Sequence, residues 1–181
     1  MTSALRAGRS CLLIVSCLVV ASVTPAPAQE GTRPGLTPME KDFVNAWAMA
    51  MNYELAAARV AQSTGRSEAV RRFASAMIAD HGAILREVGA AVASADRTVT
   101  LPTAMSVAGN ERLRALQAAT PEAFDMTYRG QMISSHTEAQ AALAAFLEST
   151  TTNSGLRSAA LNAKPRIDAH LNAAKELPRR I

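Results

Sequence analysis

The chain has 181 residues, 49% hydrophobic but only 4% aromatic, with 19 basic against 15 acidic side chains and two cysteines. Cys11 and Cys17 both fall near the start, so the rest of the chain can hold no disulfide, thiolate metal site or cysteine nucleophile. Part of the basic excess is Arg6 and Arg9; beyond residue 28 there are 17 basic and 15 acidic residues, with no basic cluster interleaved with aromatics. That balance argues against nucleic acid as a partner.

Residues 1–28 read as a signal peptide. Arg6 and Arg9 form a basic start, residues 11–23 form an apolar run of 13, and Ala26-Pro27-Ala28 offers small residues for cleavage before Gln29. A membrane-spanning helix needs roughly 20 apolar residues, so export to the periplasm is expected, with no transmembrane helix in the mature chain. Ile14-Val15-Ser16-Cys17 loosely fits a lipobox and offers lipid anchoring at Cys17 as the lesser alternative. The remaining 153 residues suit one domain with its own core. Abundant alanine and sparse glycine favour an all-α domain with close helix contacts.

Residues 29–36, with Gly31, Pro34 and Gly35, are expected to form a flexible lead-in to a helical bundle over 37–178. Thr37-Pro38-Met39-Glu40 is a helix-start signature, with a capping Thr, Pro at the first helical position and Glu40 placed to close a capping box. The first helix should run to about Ser63, with Gly65 available to end it. Its inward seam reads Phe43, Trp47, Ala50, Glu54, Ala57 and Ala61. Ser67 opens a second helix to about Ser94 with the seam Val70, Ala74, Met77, His81, Ile84, Val88 and Ala91. The short turn between them makes the two helices antiparallel neighbours.

A connection through Leu101-Pro102 crosses one end and carries a short amphipathic helix over 107–118. Thr120-Pro121-Glu122 starts a third long helix, to about Glu148, with the seam Asp125, Tyr128, Met132, His136, Ala139, Leu143 and Phe146. The last helix, about Leu156 to Leu177, should bend or break near Pro165; Ile167, His170, Ala174 and Leu177 share its face. Four long helices with one long crossover and a short extra helix describe a ferritin-like four-helix bundle better than a simple up-down one.

The three histidines of the chain, His81, His136 and His170, thus lie on inward seams of three helices, and Glu54 lies on the fourth. Such groups are costly to bury alone and must find each other, water or a metal. Imidazoles with a carboxylate suit zinc, iron or copper. Folding the helix pairs about their turns places His81 about 6 Å along the axis from the level of Glu54, and His136 within about 3 Å of His170 in height. Met77 and Met132 each precede a histidine by one turn in a repeated Met-Ile-x-x-His pattern, and a thioether ligand would favour copper. Asp80, at the edge of its face, is placed either to orient a neighbouring group or simply to be solvated. Asp125, near a helix start, is favoured there by the dipole regardless of role. Glu138 falls off the seam and reads as surface. The competing reading makes the histidines hydrogen-bonded core residues and the methionines core filler.

Catalytic signatures are absent: there is no Gly-x-Ser-x-Gly, P-loop, dinucleotide fingerprint or His-Glu-x-x-His. The Glu-x-x-His of di-iron carboxylate bundles is also missing, since Ile78 and Ile133 stand three residues before His81 and His136. The expectation leans toward a protein that is not an enzyme, with a hydrolase or oxidase as a distant third reading because no nucleophile or paired carboxylate layer is visible.

The stretch from Phe43 to His81, the Leu101-Pro102 pair, residues 124–136 (FDMTYRGQMISSH) and His170-Leu171 resemble the family catalogued as domain of unknown function 4142. The resemblance runs from about Asp42 to Leu177 and implies an exported protein with a ferritin-like bundle. It also implies that Glu54, Asp80, His81, Asp125, His136 and His170 occupy positions where the family tends to carry such residues. Ser135 stands where the family often has Asp, so one carboxylate near His136 is missing. Two readings follow. In one, Glu54, His81, His136 and His170 bind a transition metal, for metal handling or envelope stress protection. In the other, the chain is an interaction module whose buried polar cluster only fixes helix register, with small-residue faces serving self-association.

Overall fold

The computed structural model describes residues 35–149 and 153–179, so the expected leader, Cys17 and most of the lead-in lie outside the described residues. Five helices, and among the described residues no strand, make up the structure: α1 (Pro38–Thr64), α2 (Glu68–Ala95), α3 (Val107–Gln117), α4 (Pro121–Glu148) and α5 (Ser154–Glu176). None is long and apolar enough to cross a membrane. The helix starts follow from local chemistry. Thr37 Oγ1 accepts from the Glu40 N–H while Glu40 Oε2 accepts from the Thr37 N–H at 2.9 Å, closing the expected capping box. Ser67, Ser106 and Asn153 cap α2, α3 and α5 with a side-chain oxygen that accepts from a first-turn N–H, without the reciprocal bond. Gly65 ends α1 without a left-handed backbone. A Cβ there would stand 2.6 Å from the Ala61 carbonyl oxygen and 2.7 Å from Val70 Cγ1, so close approach is what requires glycine.

The four long helices form a ring: α1 packs on α2 and α4, and α5 packs on the same two, while α3 lies against α1 and α4. Two carboxylates fix the ends of this ring. Glu40, in the first turn of α1, accepts from the backbone N–H of Asn153, the N-cap of α5. At the other end Asp125, in the second turn of α4, accepts from the backbone N–H groups of Arg66 and Ser67 at 2.9 and 2.8 Å, at the start of α2. Both sit where an anion is favoured, at another helix's N-terminus. These contacts make α1 antiparallel to α4, so the crossover between α2 and α4 spans the length of the bundle instead of crossing one end as expected. Asn52 ties that crossover down by donating to the carbonyls of Pro102 and Ala104 at 2.8 and 3.1 Å. Thr37→Ala removes the cap alone and is expected to cost about 1 kcal/mol. Glu40→Ala should cost more, because it also strips the Asn153 N–H; urea denaturation of the two variants checks the order.

The core comes as two apolar clusters. One gathers Val44, Met51, Ile84, Val88, Leu143, Phe146 and Ile167 toward the α4–α5 turn. The other gathers Ala57, Ala61, Val70, Met77, Phe124, Tyr128, Met132 and Ala174 toward the α1–α2 turn, and Leu116 anchors α3 to it. Leu36, expected in a free lead-in, is buried in the first cluster.

Two further expectations are corrected. Helix α5 runs unbroken through Pro165. Pro165 has no N–H to donate to the Leu161 carbonyl, but Leu161 and Pro165 both lie on the exposed face of the helix, where water can replace the missing donor. Ala50, assigned to the inward seam of α1, is exposed instead, because alanines on α1 and α4 are too short to close the gap between those helices.

Candidate metal centre

Between the two apolar clusters lies one polar layer, to which each long helix contributes a residue: Glu54 from α1, His81 from α2, His136 from α4 and His170 from α5. Glu54 is 1% exposed, His81 and His136 are fully buried, and His170 is 5% exposed. The estimated offset between Glu54 and His81 is bridged by direction. Side chains lean toward the N-terminus of their own helix; in this antiparallel pair Glu54 and His81 lean toward each other, and Glu54 Oε2 reaches within 2.9 Å of His81 Nδ1. The three imidazoles each present a nitrogen within 4.8 Å of the others and could hold a metal ion.

The partners of each ring fix where its protons sit. His136 Nδ1 lies 2.9 Å from the Met132 carbonyl oxygen, which can only accept. The proton is therefore on Nδ1, leaving Nε2 a bare lone pair, buried and without a partner. His170 Nε2 lies 2.9 Å from Asp80 Oδ2, so it carries the proton there and turns a bare Nδ1 inward. A carboxylate or carbonyl behind a ring nitrogen is the arrangement that orients metal-binding histidines. His81 Nε2 lies 3.0 Å from His170 Nδ1 and must donate to it in the absence of an ion. His81 Nδ1 then faces Glu54 Oε2 at 2.9 Å, but the pair is not aligned as a hydrogen bond, and both Glu54 oxygens and His81 Nδ1 lack such a partner. Glu54 Oε1 stands 3.5 Å from His136 Nδ1. The layer is thus one positive charge short unless His81 carries a second proton or a cation stands among these atoms.

Electrostatics agree with that count. Burial acts to raise the Glu54 carboxyl, but the pull of the His81 imidazole 2.9 Å away, with His136 behind it, outweighs burial and holds it at about 2. His170 is pushed down to about 4, chiefly by burial and then by repulsion from His81, against the pull of Asp80. Burial likewise lowers His136, opposed by Glu54. Both therefore favour the neutral imidazole that a metal requires.

The sequence-derived candidates divide cleanly. Glu54, His81, His136 and His170 come together, and Asp80, with a side chain 43% exposed, joins them through His170. Asp125 does not: it binds the α1–α2 turn. The side chains of Met77 and Met132 belong to the apolar cluster toward that turn, and Met132 enters the layer through its carbonyl alone. Glu138, as expected, is on the surface, where it pairs with Arg112. Two members went unassigned in the sequence. Tyr128 is fully buried with a partnerless hydroxyl, and its proton is held more tightly than usual by burial and by the Glu54 charge. Ser135 is buried with its hydroxyl 3.5 Å from His136 Nδ1. Position on the α4 seam was the available signal for Tyr128.

The class defined by this architecture is an all-helical bundle with a buried histidine-carboxylate layer. A family model described as "Domain of unknown function (DUF4142)" matches residues 25–177, and the chain belongs to that family. No curated protein and no solved structure matches it.

Proposed function

We propose that this protein is an exported, periplasmic, non-catalytic bundle of the ferritin-like kind that binds a transition metal through His81, His136, His170 and Glu54, for metal handling or protection of the envelope under stress. The observation that carries the reading is the convergence of three buried imidazoles, each with a nitrogen within 4.8 Å of the others, beside a buried carboxylate, with His136 Nε2 left without a hydrogen-bond partner. Buried polar atoms are almost always satisfied, and an unpartnered imidazole nitrogen turned toward two others suits a cation. Three neutral imidazoles with a carboxylate suit zinc or iron, and the thioethers in the neighbouring apolar cluster weaken the case for copper. The ferritin-like assignment rests on the four long helices and the crossover that runs the length of the bundle.

Native protein purified without a histidine tag should carry near-stoichiometric metal by elemental analysis, and His81→Ala should lose it. Metal-free protein that also refuses zinc, copper and iron when challenged would overturn the reading.

A second reading keeps the layer as a register-fixing polar cluster of an interaction module. The hydrogen bonds His81–His170 and His136–Met132, which partner part of the layer without any ion, favour it. It requires elution on size exclusion to be indifferent to chelator.

A further inference from the structure

Of the four residues in the layer, His170 has the most contact with solvent, at 5% exposed, against 1% for Glu54 and none for His81 and His136. Its partner Asp80 has a side chain 43% exposed. Both line a groove of about 710 Å³ between α2 and α5. Six waters occupy about 180 Å³ in the liquid, so a cation fits there with its whole hydration shell. The walls are short, with Ala69 and Ala76 from α2 and Ala169 and Ala173 from α5. Two arginines of the groove are already paired, Arg72 with Glu68 and Arg166 with Glu87 at 3.0 Å. The Asp80 carboxylate is the groove charge that touches the layer, through its 2.9 Å contact with His170 Nε2.

The opposite side offers no such approach. There Ser135 lines an alanine-walled hollow between α1 and α4, and its hydroxyl stands 3.5 Å from His136 Nδ1. That nitrogen holds its proton against the Met132 carbonyl, so an arriving cation meets a donor in place of a lone pair. Along the bundle axis the two apolar clusters close the layer. His170 is also the member with room to move: its ring bonds to Asp80 and His81, and the groove lies open beside it. We infer that a divalent transition-metal cation enters and leaves the layer through the α2–α5 groove, received by the Asp80 carboxylate and admitted as the His170 ring swings outward. The inference rests on the metal reading above and adds the route to it.

The test times cobalt(II) uptake by the metal-stripped protein in stopped flow, reading the visible absorbance of the bound ion, and times release into excess EDTA. Side chains on a helix lean over the turn before them, so Ala173→Phe, from an exposed position, covers His170. It should slow uptake and release alike, by about tenfold, and leave the equilibrium affinity within about twofold of the parent. Ala142→Leu fills the opposite hollow and should change neither rate. Asp80→Asn should slow uptake about sevenfold at low salt, the attraction of one carboxylate for a divalent cation about 7 Å away in water. That deficit should fade in about 1 M salt. An Asp80 that merely orients His170 would leave uptake unchanged and speed release alone. That outcome, unaltered rates in Ala173→Phe, or slowed rates in Ala142→Leu overturns the route and leaves the metal reading standing. A parent protein that takes up no cobalt at equilibrium overturns the metal reading, and the route with it.

Discussion

Metal-free protein carrying Glu54→Ala is expected to unfold about 3–5 kcal/mol more readily than the parent at pH 7. Glu54 is the only carboxylate in the fully buried part of the layer, and it faces two imidazoles, at 2.9 Å from His81 and 3.5 Å from His136. Removing it leaves the His81 charge, or the bare nitrogen that replaces it, with no counterpart in a medium that solvates neither. For a domain of this size the melting point should fall by roughly 10 °C. Glu54→Gln should recover about half, since an amide can donate to His81 Nδ1 but brings no charge. The double variant Glu54→Leu with His81→Leu should be nearly as stable as the parent, because a buried ionic pair exchanged for apolar volume is often neutral. Urea denaturation of the four proteins in chelator decides it. A Glu54→Ala protein within about 1 kcal/mol of the parent would show that the metal-free layer carries no net ionic interaction.

Asp125→Ala should be of similar size, with a different signature. The carboxylate is fully buried, and each oxygen accepts from a backbone N–H of the α1–α2 turn, Arg66 at 2.9 Å and Ser67 at 2.8 Å. Hydrogen bonds to a charged group contribute about 1.5–3 kcal/mol each, and the stranded N–H groups sit at the start of α2, where no other acceptor replaces it. A loss of about 3–5 kcal/mol follows, with metal content unchanged. Asp125→Asn should lie between, because one end of the amide turns a donor toward a donor. If Asp125→Ala instead emptied the metal layer while leaving stability within about 1 kcal/mol, the turn contact would not be its role.

How far these positions could be read from sequence depended on whether their signal was local. The capping box of Thr37 and Glu40 is complete within four residues, and it formed as expected. Glu54, His81, His136 and His170 interrupt otherwise apolar seams, so periodicity alone placed them inward, and they meet. Asp125 carries the same local signal, a carboxylate early in a helix, whether or not it binds a turn some sixty residues away; its partner is tertiary and was invisible. Asp80 lies at the edge of its face, and only the approach of α5 shows which ring it holds. Pro165 read as a break because its effect depends on which way it points, and it points to water. Ala50 fits the seam arithmetic, yet small side chains do not force two helices together, and α1 and α4 leave a cavity there.

Glu40 and Asp125 have a consequence for how the molecule comes apart. Each reaches from one helical hairpin into the other, α1 to the start of α5 and α4 to the start of α2, at opposite ends. Neither hairpin can peel away without breaking both links and exposing both apolar clusters. Opening is therefore a single global event rather than a sequence of foldons. The backbone amides of Arg66 and Ser67, though in a turn, should therefore fall in the slowest-exchanging set when hydrogen exchange is measured.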